Sequence, residues 1–152
     1  MKLAEALQKR ADLMRKTGDL RERIRTNALT QEGEQPAEDP KALLKEYDEA
    51  VEELGKLIAE INLTNCRTVR NGQTLTEIIA KKDVLTIKRQ AYREIADAAN
   101  QNTYRARNTE IRILPTLDVA ALRKTADAIA REIRELDNTL QETNWTTDLL
   151  EE

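Results

Sequence analysis

The 152-residue sequence predicts a mainly α protein, an antiparallel four-helix bundle of two duplicated helical hairpins, with a short β-hairpin or strand in the connections and one domain over 1–152. Three observations carry that prediction. Ala, Leu, Glu, Lys and Arg supply just over half of the residues, the bias of long helices and coiled coils. Apolar residues recur at alternating steps of three and four. The two halves of the chain align with each other. A β-sandwich or barrel is excluded, because with no Phe, one Trp and three Tyr the chain lacks the aromatic material that strands favour.

Punctuation divides the chain into four helical segments of about 25 residues, each about 37 Å long at 1.5 Å per residue. The first runs from Lys2 to Ala28 and the second from Lys41 to Asn65, where Asp39 caps the start and Pro40 takes the first helical position. The third opens on Thr74-Leu-Thr-Glu77, a capping box that satisfies two orphan amides, and ends near Asn100. The fourth starts at Thr116 or Asp118 and ends near Thr143. In segment two, Leu44, Tyr47, Val51, Leu54, Ile58 and Ile61 form the expected inward row, widened by Leu43, Ala50 and Leu57. Segment four repeats that spacing through Val119, Leu122, Ala126, Ile129, Ile133, Leu136 and Leu140. Segment three carries two rows, Ile78, Leu85, Tyr92, Ala99 and Val84, Ile87, Ala91, Ile95, and is expected to be covered on two sides. Gly18 and Gly55 each cost about 1 kcal/mol inside a helix, and a close crossing of segments one and two is the expected reason for them.

The internal repeat has two offsets. Leu3, Glu5, Lys9, Leu13, Lys16, Arg21 and Glu22 fall on Leu75, Glu77, Lys81, Leu85, Lys88, Arg93 and Glu94, 72 residues later (3 to 75). Asp39, Leu43, Asp48, Glu53, Leu57, Thr64 and Asn65 fall on Asp118, Leu122, Asp127, Glu132, Leu136, Thr143 and Asn144, 79 residues later (39 to 118). Two short segments read as β: Thr68 to Thr74, around the type I′ dipeptide Asn71-Gly72, and Glu110 to Leu114, which alternates like a half-buried strand.

Composition also narrows chemistry and location. With no His, the Ser-His and Cys-His nucleophile pairs and the Glu-x-x-His di-iron bundle each lack an essential part, and no catalytic residue, metal ligand or cofactor is assigned. Cys66 is the sole cysteine, and the opening MKLAEALQKRADLMRK is too charged for a signal peptide, so a cytoplasmic protein is expected. No apolar run spans a membrane, and net charge −3 disfavours nucleic acid and anionic lipid as partners.

Two places could touch a ligand or partner. The duplicated Thr64-Asn65 and Thr143-Asn144 share one bundle end with Trp145, where amides and an indole could line a pocket for a small polar ligand. The competing explanation is that Asn ends helices because it tolerates the left-handed conformation, with Trp145 plugging the bundle end. Tyr104, Arg105, Arg107 and Arg112 could contact a partner or an anion. Their basic loop stands opposite the acidic loop holding Glu32, Glu34, Glu38 and Asp39, and the two could pair within one molecule or between copies in a homo-oligomer.

The opening MKLAEALQKRADL, the loop QEGEQPAEDP, the helix end INLTNC and the closing TNWTTDLL together resemble a family of small bacterial proteins labelled septicolysin, of unknown function, over nearly the whole chain. The label implies a thiol-activated cytolysin. The residues argue against that activity, since Cys66 and Trp145 stand in separate segments and no amphipathic β-hairpin of membrane length is present. The expected role is a non-enzymatic, self-associating cytoplasmic interaction protein. The alternative is a small-molecule or nucleotide-binding protein, enzymatic or not, using the Asn and Trp end or the Arg-rich loop.

Overall fold

Strong local signals set the helix starts in the computed structural model, which describes residues 1–100 and 113–151. The first helix is α1 (Leu3–Thr26); Asp39 accepts the Lys41 amide at 3.0 Å ahead of Pro40 and opens the second, α2 (Pro40–Arg67). The strands β1 (Val69–Arg70) and β2 (Gln73–Thr74) follow. Between them Asn71 and Gly72 have φ of 53° and 80°, the two positive values that a type I′ turn requires. The predicted capping box then starts α3 (Leu75–Asn100): the Thr74 amide donates to Glu77 at 2.7 Å and the Glu77 amide to the Thr74 hydroxyl at 3.2 Å. Asp118 accepts the Ala121 amide at 3.1 Å and starts α4 (Val119–Thr146). The fold is therefore mainly α, a helical bundle with one two-stranded antiparallel sheet among the described residues.

The chain divides into two compact units, Met1–Val69 with Thr143–Glu152, and Arg70–Glu142. In the first, α1 and α2 pack as an antiparallel hairpin. Lys9 pairs with Glu53 at 2.6 Å and Lys16 with Glu46 at 2.9 Å, so seven residues forward on one helix is seven back on the other. The inward row of α1 is Leu3, Ala6, Arg10, Leu13, Thr17, Leu20, Ile24, and that of α2 is Leu43, Tyr47, Ala50, Leu54, Leu57, Ile61, Thr64.

That α2 row corrects one expectation. The residues read as widening the stripe, Leu43, Ala50 and Leu57, are its buried centre, while Leu44, Val51 and Ile58 remain 49%, 42% and 37% exposed. One residue is about 100° of helix rotation. Turning Leu44, Val51 and Ile58 inward would carry Glu46 and Glu53 away from Lys16 and Lys9 and would remove Thr64 from its buried partners, described below.

In the second unit, Lys81 pairs with Glu132 at 2.8 Å and Asp97 with Arg123 at 3.2 Å, again antiparallel. The inward row of α3 runs Leu75, Ile78, Lys82, Leu85, Arg89, Tyr92, Ala96, and α4 turns Leu122, Ala126, Ile129, Ile133, Leu136 and Leu140 inward as its spacing predicts. The second α3 row is not covered, and Ile87 is 71% exposed. Each inward position of α3 lies 72 residues beyond one of α1 (3 to 75), and each of α4 lies 79 beyond one of α2 (43 to 122). The Lys9–Glu53 and Lys81–Glu132 pairs obey the same offsets.

Candidate functional site

The end of the first unit is built by the chain termini. The Leu3 amide donates to the Thr147 carbonyl and the Leu149 amide to the Met1 carbonyl, each at 2.9 Å, and Lys2 bridges antiparallel to Asp148. Lys2 Nζ lies 2.8 Å from the Asp148 carboxylate, and this hydrogen-bonded ammonium holds the carboxyl below its ordinary range. No signal in the sequence announced this bridge. Lys2 and Asp148 stand at the same offsets from Thr74 and Val69, the outer residues of the β1–β2 hairpin (2 to 74, 69 to 148).

Thr64 is fully buried beside this bridge. Its hydroxyl donates to the Glu60 carbonyl at 2.8 Å and accepts the Leu150 amide at 2.9 Å. Thr143 is buried too, and its carbonyl accepts the Thr147 amide at 2.9 Å. Asn65 and Asn144 are half-buried. Neither ends its helix, since α2 continues to Arg67 and α4 to Thr146, and among the described residues Asn71 is the non-glycine with positive φ. Trp145 does not plug the bundle end. It faces outward on the last turn of α4, 53% exposed, while Leu149 turns back from the tail and is buried. Tyr104, Arg105, Arg107, Arg112 and the strand expected at Glu110 to Arg112 lie outside the described residues; Ile113 and Leu114 are not in a strand.

The acidic loop is held within its own hairpin. Asn27, buried at the end of α1, accepts the Glu38 amide at 3.0 Å, and Arg23 pairs with the Glu38 carboxylate through its Nε at 3.0 Å and through Nη2. This hydrogen bonding lowers the Glu38 carboxyl and raises the Arg23 guanidinium from their ordinary values.

The exposed row Leu44, Val51, Ile58 is the chief apolar feature of α2. Gly55 lies on the same side, four residues after Val51 and three before Ile58. The close crossing expected at Gly18 and Gly55 is absent: a Cβ built on either meets nothing within 4 Å. Near the start of α2 the row runs into a hollow of about 190 Å³ lined by Arg21, Ile24, Arg25, Leu44 and Tyr47. The second unit has a hollow at the matching place, about 360 Å³, lined by Arg89, Arg93, Arg123, Ala126 and Asp127.

The model of DUF6847, a family of unknown function, matches residues 10–149. The chain belongs to DUF6847. This corrects the septicolysin resemblance, because the family that matches is described as one of unknown function and not by that label. The motifs behind the resemblance are parts of the architecture: INLTNC is the last turns of α2 and TNWTTDLL is the end of α4 with the tail. A protein of Corynebacterium diphtheriae, whose crystal structure is described as that of a functionally unknown conserved protein, is 37% identical over 99% of both chains with a TM-score of 0.92. No curated protein matches. Uncharacterised function is thus what DUF6847 and this relative share.

Thr64 is occupied by main-chain partners, and among the described residues no group of three or more His, Cys, Asp or Glu could hold a metal ion. Among the described residues no helix is long and apolar enough to cross a membrane.

Proposed function

We propose that this DUF6847 protein is a non-enzymatic, self-associating helical interaction protein of the cytoplasm, and that the occupant of the α2 face Leu44–Val51–Ile58 is a second copy of the chain. The observation that carries the reading is an apolar row with one member per heptad left uncovered on a helix whose other stripe is already packed. Such a row fits another helix. Gly55 beside it, with open space where a Cβ would stand, allows the partner backbone to approach closely.

The matched rows and ion pairs at offsets of 72 and 79 support a duplicated, coiled-coil-like hairpin as the repeating part of this assembly.

Sedimentation velocity on the full chain and on Val51→Glu tests the reading. The wild type should sediment as a dimer or larger species and Val51→Glu as a monomer with unchanged helical content. A wild-type monomer at high concentration, or an assembly indifferent to the substitution, would overturn it.

A further inference from the structure

The two matched hollows differ in chemistry. In the first unit the hollow is closed in by Tyr47 and lined by Leu44; at the corresponding positions of the second unit stand Ala126 and Arg123, 79 residues later (47 to 126, 44 to 123). Arg21 corresponds to Arg93, and Thr17 of the inward row corresponds to Arg89, 72 residues later (21 to 93, 17 to 89). With Ala126 in place of the Tyr47 ring the space is about 360 Å³ rather than about 190 Å³, and three guanidinium groups line it against two, since the counterpart of Arg25 is Asp97 (25 to 97).

Arg89 is placed where a cation is costly. It is half-buried at an inward position of α3, and a charge moved toward a packed seam needs a partner. The other cation of that row, Lys82, has one in Asp137. Among the described residues no ion pair engages Arg89 or Arg93, which stand one turn apart on α3 and face Arg123 across the hollow. Two carboxylates are near: Asp97 holds Arg123 at 3.2 Å, and Asp127 lines the hollow. The local balance of Arg89, Arg93 and Arg123 against these two still leaves one positive charge.

We infer that the hollow of Arg89, Arg93 and Arg123 binds the phosphoryl group of a small phosphorylated molecule. A planar guanidinium presents paired N–H donors that match phosphate oxygens in a bidentate way, and Arg89 and Arg93, a turn apart, can hold one tetrahedral anion from two sides. The volume lies within the range of small-molecule sites. The inference is independent of self-association, since it uses the other unit and other residues.

Calorimetric titration of the full chain with inorganic pyrophosphate tests it, with a nucleoside monophosphate as a second arm to show whether an organic moiety adds affinity. Saturable binding is expected, weakened about tenfold or more by Arg93→Gln through loss of a charge-assisted bidentate contact, and unchanged by Arg21→Gln in the matching hollow or by Val51→Glu. Amide shifts in the wild type should map to α3 around Arg89 and to α4 around Arg123, a readout that survives even if a variant folds poorly. No saturable binding by either probe, equal weakening by Arg21→Gln, or a response that chloride of equal ionic strength reproduces would overturn the inference.

Discussion

The backbone amide of Leu150 donates to the hydroxyl of Thr64 at 2.9 Å, while that hydroxyl donates to the Glu60 carbonyl at 2.8 Å. One fully buried oxygen thereby ties the C-terminal tail to α2. Thr64→Val keeps the shape and deletes both bonds, leaving the Leu150 amide without its acceptor. It should lower stability by about 1–3 kcal/mol in urea denaturation, whereas Thr64→Ser should recover most of that loss. A Thr64→Val protein as stable as the wild type would show that the tail is not held through this bond.

Gly18 and Gly55 are helical, and a Cβ at either position meets open space. Gly18→Ala and Gly55→Ala should each raise the unfolding free energy by about 0.5–1 kcal/mol, mainly by restricting the unfolded chain. Gly55→Ala carries a second expectation. If a partner helix approaches Val51 and Ile58 closely, the added methyl should weaken self-association in sedimentation even as the fold gains stability, while Gly18→Ala should not.

Leu75 and Ile87 test the two faces of α3. Leu75 is fully buried and Ile87 is 71% exposed. Leu75→Ala should cost about 2–5 kcal/mol, through lost transfer energy and the cavity left behind. Ile87→Lys should change chemical denaturation by no more than about 0.5 kcal/mol. A large loss for Ile87→Lys would mean that this face is covered in solution, and its dependence on protein concentration would show whether a second copy covers it.

The helix starts were readable because each is a local event. Asp39 with Pro40, and Thr74 with Glu77, satisfy amides within three residues, and Asn71-Gly72 supplies its own positive φ. The inward row of α4 was readable because Arg123 and Asp137 stand where α2 has the competing Leu44 and Ile58. On α2 both Leu43, Ala50, Leu57 and Leu44, Val51, Ile58 are apolar, so periodicity alone could not choose, and the choice fell to Lys9 and Lys16 on α1 and to the buried Thr64 of α2 itself. Trp145 was misplaced because its outward position depends on α4 running on to Thr146 and on Leu149 returning to fill the end. The bridge of Lys2 to Asp148 joins residues from opposite ends of the chain, which no local pattern reports.

Acid should unfold the protein through a few carboxylates held low by particular donors. Glu77 is lowered by the Thr74 amide and then its hydroxyl, Glu53 by Lys9, Asp148 by Lys2 and Glu38 by Arg23. A folded value below the unfolded one means that the unfolded chain takes up the proton first as pH falls. The stability these groups contribute is therefore complete above the ordinary carboxylate range and is lost as pH drops through it toward the folded values. With no His in the chain, imidazole adds no transition between pH 5 and 8. Melting temperature should accordingly be flat near neutrality and fall below about pH 5. Glu77→Gln should lower stability at pH 7 and make the acid limb shallower, because the neutral amide side chain accepts the Thr74 amide more weakly and no longer titrates. An acid limb of unchanged slope in that variant would remove Glu77 from the account and leave the ion pairs of Glu53, Glu38 and Asp148 to explain it.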